Sequence, residues 1–214
     1  MKSISRTKPL AALAAAIAMI LLAGGCATMS EEECLTADWR AIGYEDGAAG
    51  LQVAQLGRRR QACADHGVRP DTVAYRAGRD EGLELYCTEQ RGFRLGRAGS
   101  GYNGVCPADL EGLFLRGHQA GREIYLARSA VNQVAGAIGD RQQEREHILD
   151  DITDMSARLV SDEATKEERI VLLADIARLK DRHSELGVEI EDLQYELGLR
   201  EAEYQEVQAR SPYH

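Results

Sequence analysis

Aromatic residues are scarce in this chain of 214 residues, at 5% of the sequence, so the chain has no large aromatic core. Basic residues are also in deficit, with 26 Lys and Arg against 35 Asp and Glu and a formal net charge of -9. Because nucleic-acid binding requires a basic face, this balance argues against a nucleic-acid partner. Hydrophobic residues make up 44% and charged residues 29%, which excludes both a disordered tail and a multi-span membrane protein.

Recognisable catalytic and metal-binding motifs are absent as well. No serine lies in a G-x-S-x-G context, and neither H-E-x-x-H nor a phosphate loop is found. Asp38 and Asp46 are spaced for one helix face, but we interpret Asp38 as a helix cap and Asp46 as a solvated acid rather than as a catalytic pair. His66 and His118 have no visible partner, and no C-x-x-C pair supports zinc. The sequence therefore predicts no enzyme, no cofactor and no metal.

Residues 1–25 read as a signal segment, with a basic start and an uncharged run from Leu10 to Ala23. Fourteen residues fall short of the roughly 20 that a spanning helix needs. The run ends in Leu22-Ala23-Gly24-Gly25-Cys26, which resembles the lipobox of bacterial lipoproteins. The resemblance implies cleavage before Cys26 and lipidation of that residue, with an ordinary signal peptide and an incidental cysteine as the alternative. By analogy with lipoprotein sorting, Ala27 after the cysteine favours the periplasmic face of the outer membrane.

The composition of the chain changes near residue 128. Residues 26–127 hold 15 of the 21 glycines and all five cysteines, Cys26 among them. Residues 128–214 hold four glycines, no cysteine, 11 basic and 20 acidic residues. We therefore predict an all-α protein with a lipidated N-terminus and linker at 26–33, a Cys- and Gly-rich helical domain at 34–127, and a coiled-coil hairpin at 128–210.

A short repeat runs through the glycine-rich domain. Tyr75-x-x-Gly78-x-x-x-Gly82-x-x-x-Tyr86 recurs 39 residues later as Phe114-x-x-Gly117-x-x-x-Gly121-x-x-x-Tyr125, with Trp39, Gly43, Gly47 and Leu51 as a looser copy. Spacings of three and four place these residues on one helical stripe. A glycine within a helix costs about 0.5–1 kcal/mol of stability relative to alanine. We therefore expect that these glycines allow close packing of helix backbones, which offsets the cost; a glycine-lined ligand groove is the alternative. The glycine-dense stretch 92–104 is predicted to be a loop.

The second half has a heptad pattern. Its downstream apolar positions alternate steps of three and four, with polar exceptions at His183 and Arg200: Ile176, Leu179, His183, Leu186, Ile190, Leu193, Leu197, Arg200, Tyr204 and Val207. Residues 131–159 keep the same rhythm, and Thr165-x-x-Glu168 resembles a capping box that opens the second helix. Two long amphipathic helices with a turn near 161–165 predict an antiparallel coiled-coil hairpin.

Residues 34–127 resemble a bacterial envelope family catalogued as domain of unknown function 2799. The motifs that carry the resemblance are Cys34, Asp38-Trp39-x-x-x-Gly43-x-x-Asp46-Gly47, Cys63-x-x-x-Gly67-x-x-Pro70, Tyr75-x-x-Gly78-x-x-x-Gly82-Leu83-x-x-Tyr86-Cys87 and Tyr102-x-x-Val105-Cys106-Pro107. The resemblance implies a small, lipidated, cysteine-containing helical protein. It implies no reaction, cofactor or catalytic residue.

The four downstream cysteines are predicted to form disulfides, because the periplasm is oxidising. We expect the pairs Cys34–Cys63 and Cys87–Cys106. Cys34 precedes the first predicted helix and Cys63 lies near the end of the second, so antiparallel packing brings them together. Cys87 closes the third helix and Cys106 precedes the fourth, and the segment between them is free to fold back.

For function, the sequence predicts a structural or interaction module rather than an enzyme. The lipid anchor would attach it to the membrane, and residues 128–210 would contact an envelope protein or a second copy of the chain. The alternative is a binding domain for cell-wall material or a small periplasmic ligand, using the Gly/Tyr surface around Tyr75, Tyr86, Tyr102 and Tyr125.

Overall fold

The computed structural model describes residues 29–213. These residues form seven helices and no strand: α1 (Glu31–Thr36), α2 (Trp39–Ala48), α3 (Ala54–Ala64), α4 (Thr72–Tyr86), α5 (Glu89–Arg97), α6 (Ala108–Leu159) and α7 (Lys166–Arg210). The protein is all-α, as predicted. None of the helices described is both long and apolar enough to cross a membrane. The predicted signal segment and the lipidation site Cys26 lie outside the described residues.

The described residues divide into two units, of which the first comprises residues 29–86 together with Asn103–Pro107. Its core is formed by Cys34, Trp39, Leu56, Cys63 and Tyr75, which are all buried. Helix α1 begins with a capping box in which Ser30 and Glu33 each accept a hydrogen bond from the other's backbone. Asp38 caps α2 by accepting hydrogen bonds from the backbone of Arg40 and Ala41 at 3.0 and 3.1 Å. A small apolar core, two caps and a disulfide thus hold this unit together.

The second unit comprises Cys87–Tyr102 and the chain from Ala108 onward. The predicted loop at 92–104 is wrong in its first part, because Glu89–Arg97 is the helix α5. Thr88 caps this helix by accepting a hydrogen bond from the backbone of Arg91 at 3.2 Å. Glycine density misled the loop prediction, since Gly92 and Gly96 are helical glycines buried against α6.

Helices α6 and α7 pack against each other as the predicted antiparallel hairpin. Ile138 packs beside Ile190 in a buried cluster with Val134, and Arg182 pairs with Glu144 at 3.0 Å. The contacts of α6 move to earlier residues of α7 as α6 proceeds, from Ile190 beside Ile138 to Arg182 beside Glu144, so the two helices are antiparallel. Leu186 in this seam is 0% exposed. Helix α6 is one unbroken helix of 52 residues, so the predicted domain boundary at residue 128 lies inside it.

The turn between α6 and α7 is closed by its own polar contacts. Thr165 and Glu168 form the predicted capping box. Arg169 donates to the backbone carbonyls of Leu159, Ser161 and Ala164, the last two at 2.7 and 3.2 Å. One arginine thereby binds the carbonyl of Leu159, which the end of α6 leaves without a helical partner, and two carbonyls of the turn.

Candidate functional site

Two helix crossings in this chain are built from glycines in the same arrangement. In the first unit, Gly43 and Gly47 of α2 face Gly78 and Gly82 of α4; a Cβ atom added at any of the four would lie closer than 3.0 Å to backbone atoms of the other helix. In the second unit, the corresponding contacts join Gly92 and Gly96 of α5 to Gly117 and Gly121 of α6. Glycine is required at these eight positions by close approach of two backbones.

The two crossings are copies of one helix pair. Gly43-x-x-x-Gly47-x-x-Gly50 recurs as Gly92-x-x-x-Gly96-x-x-Gly99. Gly50 and Gly99 both have positive φ, of 69° and 76°, a conformation that glycine adopts without strain. A Cβ at Gly50 would strike the ring of Tyr86, and one at Gly99 the ring of Tyr125. The match of residues 43–50 with 92–99 is a second repeat, besides the predicted one that relates residues 75–86 to 114–125.

The first copy contains a buried polar cluster, which we call the Asp46 cluster, formed by Asp46, Arg59 and Tyr75. The side chain of Asp46 is 3% exposed. It accepts hydrogen bonds from Arg59 Nε at 3.1 Å, Arg59 Nη2 at 2.6 Å and the Tyr75 hydroxyl at 2.7 Å. The interpretation of Asp46 as a solvated acid is therefore wrong. Sequence spacing gave no signal for it, because the partners lie 13 and 29 residues away.

Arg79 lies in the same unit and is only 9% exposed. Its Nη2 donates to the backbone carbonyl of Leu51 at 2.8 Å, while its Nε has no hydrogen-bond partner among the residues described. The second copy repeats the contact with a backbone carbonyl, because His118 Nε2 lies 2.8 Å from the backbone carbonyl of Ser100. In both copies a side chain from the second helix therefore binds the loop that follows the first helix.

The electrostatics of the Asp46 cluster favour a structural role. Hydrogen bonding to the Asp46 carboxylate raises the pKa of Arg59. Burial, followed by the hydrogen bond to Asp46, raises the pKa of Tyr75 well above its usual range. A general acid or base works best with a pKa near the operating pH, and both shifts move these groups further from neutrality. The cluster cross-links α2, α3 and α4 through the carboxylate of Asp46.

Replacing Asp46 with Ala should lower the free energy of unfolding by about 3–5 kcal/mol, because it leaves the Arg59 guanidinium without its buried counter-ion. Glu45→Ala is the matched control: it removes the exposed neighbouring acid and should change stability by less than about 0.5 kcal/mol. Urea unfolding followed by circular dichroism measures both. Equal stabilities of the two variants would show that the cluster does not hold the helices together.

All four cysteines from Cys34 to Cys106 are disulfide-bonded. Cys34 is bonded to Cys63 with an S–S distance of 2.03 Å and a Cα–Cα distance of 5.5 Å. This bond joins α1 to α3 within the first unit. Non-reducing peptide mapping should recover the Cys34 peptide linked to the Cys63 peptide, and we predict that the Cys87 peptide is linked to the Cys106 peptide. A Cys34 peptide attached to either of the latter would contradict the pairing.

The proposed tyrosine surface is largely inside the protein. Tyr75 is 0% exposed and Tyr86 is 8% exposed. Tyr102 and Tyr125 are half-buried: the Tyr102 hydroxyl donates to Glu111 at 3.0 Å, and the guanidinium of Arg122 lies 5.3 Å from the centre of the Tyr125 ring. Burial therefore removes Tyr75 and Tyr86 from contact with any ligand.

An open groove of about 860 Å³ lies in the first unit, between α3 and the start of α4. Its lining includes Arg60, Gln61 and Arg69, which are all exposed. No group of three or more His, Cys, Asp or Glu residues suited to a metal ion occurs within residues 29–213. The groove is basic, and its chemistry would suit an anionic ligand.

The hairpin formed by residues 128–210, which we call the arm, contains the two polar seam positions. His183 is half-buried, and its Nε2 lies 3.4 Å from Arg145 Nε. Arg200 is exposed and pairs with Glu196 and Glu203 at 3.2 and 3.3 Å. Arg182 bridges Glu144 and Glu189 and lowers the pKa of Glu189. These polar groups pair with one another along the arm.

Comparison with known families identifies the first part of the chain. Residues 38–123 match the family model described as "Protein of unknown function (DUF2799)", so the resemblance noted from the sequence is confirmed over this range. No significant match was found among curated proteins or among solved structures. The matched residues contain both glycine crossings and the Asp46 cluster, and the arm lies entirely beyond them.

Proposed function

We propose that this chain, in which residues matching the family of unknown function are followed by a long arm, is a non-enzymatic interaction module. It would be anchored by lipid at Cys26 to the periplasmic face of the outer membrane and would bind an envelope protein, or a second copy of the chain, through the arm. The observation that carries the proposal is the arm itself. Helix α7 alone has 45 residues, a length of about 67 Å at 1.5 Å per residue, and Leu172, Ile176, Leu186 and Ile190 bury its seam against α6.

The burial pattern supports an arm that is complete without a third helix. Its seam is closed by α6 against α7, and the segment after α7 meets α5, where Tyr213 stacks on Phe93 and donates to Glu89 at 2.6 Å. The rest of the chain has its own core and disulfides. Long solvated hairpins of this kind need tertiary packing for stability, and the seam supplies it. The remaining surface of both helices is thereby left available for partners.

A second candidate function is the binding of cell-wall material or a small periplasmic ligand by residues 34–127. The groove with Arg60 and Arg69 favours it, because two exposed guanidinium groups in one concavity suit phosphate or carboxylate groups. The buried Tyr75 and Tyr86 do not contribute to this surface.

Chemical crosslinking in intact cells, followed by purification of the chain and mass spectrometry, separates the two candidates. Leu186→Asp disrupts the arm seam, whereas Arg60→Glu with Arg69→Glu reverses the charge of the groove. The proposal predicts that the first variant loses the crosslinked proteins and the second retains them. The opposite result would assign binding to the groove and refute the arm as the interaction surface.

The lipid anchor has its own test. Replacing Cys26 with Ser should give a soluble or uncleaved form, because a lipobox cysteine provides the acylated group. Each buried CH₂ of an acyl chain contributes about 0.8 kcal/mol to membrane attachment, so several chains hold the protein firmly. Fractionation that still finds a processed, membrane-held Cys26→Ser protein would contradict the anchor.

A further inference from the structure

The face of α7 opposite to the seam carries large apolar side chains in solvent. Ile170, Leu173, Val188, Tyr195 and Leu199 are 68%, 55%, 60%, 73% and 54% exposed. At about 100° per residue, these side chains lie within about 60° of one line along the helix, on the side away from Leu186 and Ile190. We call this surface the outer face of α7.

On α6 the exposed Leu149 (48%) lies beside the seam residue Ile148, and the face opposite to the seam has no such side chains. Its outward positions between residues 129 and 158 are polar or small, for example Gln133, Asp140, His147, Asp150 and Asp154. A hairpin that only had to remain soluble would be polar on both outer faces. The apolar row on α7 alone is therefore unexplained by the packing of the arm, and it marks one side for a partner.

The outer face of α7 is also mainly acidic. From Glu167 to Glu206 it carries seven acidic residues, whereas Lys180 lies at its edge, one heptad after Leu173, and Arg210 pairs with Glu206 at the end of the helix. The acidic residues are Glu167, Asp181, Glu185, Glu191, Asp192, Glu203 and Glu206. Four of them, Glu167, Asp181, Glu191 and Asp192, form no ion pair with any residue in the part of the chain described. The face thus combines an apolar stripe with uncompensated negative charge.

We propose that the outer face of α7 binds a basic amphipathic helix of a partner protein. Such a helix would place apolar residues at i, i+3, i+4 and i+7 on Val188, Tyr195 and Leu199, with lysines or arginines beside the acids. Charge complementarity selects this occupant. A second copy would bring two acidic faces together, and an anionic lipid surface would repel the same acids. The inference rests on the proposed function of the arm and specifies the chemistry of its partner.

The test uses the full chain and a synthetic probe. The probe is a fluorescent helical peptide of about 20 residues with a leucine stripe flanked by lysines, and its control has glutamate at each lysine. Fluorescence anisotropy should detect binding of the lysine peptide and not of the glutamate peptide. Binding should weaken as salt is raised, because exposed charges are screened beyond about 10 Å at 0.1 M ionic strength.

Two matched pairs of variants locate the site. Asp181→Lys with Asp192→Lys should weaken binding by about tenfold or more, whereas Asp150→Lys with Asp154→Lys on α6 should change it by less than about twofold. Val188→Ser with Tyr195→Ser should also weaken binding by about tenfold, and Leu149→Ser on α6 should leave it unchanged. All these positions are exposed, and circular dichroism checks that each variant keeps its helices.

Several results would overturn the inference. They are failure of the lysine peptide to bind, equal binding of the glutamate peptide, and equal effects of the two charge-reversal pairs. A dimer in sedimentation experiments that Val188→Ser with Tyr195→Ser converts to a monomer would show that the occupant is a second copy. If the arm crosslinks to an envelope protein in cells while the lysine peptide does not bind, the inference fails and the proposed function of the arm stands.

Discussion

Replacing Gly78 with Ala should lower the free energy of unfolding by about 3 kcal/mol or more, which places it among the most damaging single-methyl additions this chain can receive. The added Cβ would overlap the backbone carbonyl of Arg40, which cannot move without separating α2 from α4. Overpacking a tight core costs about 1–3 kcal/mol and occasionally more, and a backbone obstacle relaxes less than a side chain. Gly117→Ala should behave alike, because its Cβ would meet the backbone carbonyl of Glu89.

Gly139→Ala is the matched control for the glycine crossings. Gly139 lies inside α6, and a Cβ there would meet nothing within 4 Å. Alanine at an open helical position should stabilise the chain by about 0.5–1 kcal/mol, since it restricts the unfolded chain. Thermal and urea unfolding followed by circular dichroism gives both values. Similar effects of Gly78→Ala and Gly139→Ala would refute backbone contact as the reason for the glycines.

Leu186→Asp should melt the arm. Leu186 is 0% exposed in the seam, and an unpaired carboxylate there would be buried without a counter-ion, at a cost of several kcal/mol. Truncating a buried leucine costs about 2–5 kcal/mol even without the charge. We expect a large fall in the helical circular-dichroism signal and a lower unfolding midpoint.

Val188→Asp controls for the charge introduced by that substitution. Val188 lies two residues away and is 60% exposed, so the same aspartate stays in water and should change stability by less than about 0.5 kcal/mol. The comparison uses two fragments of residues 128–214, one with Leu186→Asp and one with Val188→Asp, so that the arm is measured apart from the rest of the chain. Equal helicity of the two fragments would contradict the heptad assignment.

The sequence was sufficient for features that depend on local spacing. The heptads identified the seam around Leu186, and Thr165 with Glu168 marked the start of α7, because each pattern repeats or closes within a few residues. Asp38 was correctly interpreted as a cap for the same reason. Such signals are contained in one helix and need no knowledge of its neighbours.

Features that depend on distant residues were missed. Gly92 and Gly96 predict a loop, whereas in the structure they lie in α5, at its crossing with Gly117 and Gly121 of α6. The prediction of a solvated Asp46 is wrong because its partners, Arg59 and Tyr75, come from two other helices. A glycine-rich segment can be a loop or a tight helix contact, and an acidic residue can be solvated or buried in an ion pair. Which of these applies depends on residues far away in the sequence.

Photocrosslinking in living cells is the most direct test of the arm as the interaction surface. A photoreactive amino acid is placed at Tyr195, which is 73% exposed on the outer face of α7, and separately at Gln61, which lines the basic groove of the first unit. If the arm is the interaction surface, the residue at Tyr195 gives a crosslink to an envelope protein, identified by mass spectrometry, and the one at Gln61 gives none. Crosslinks from Gln61 with none from Tyr195 would contradict this role of the arm.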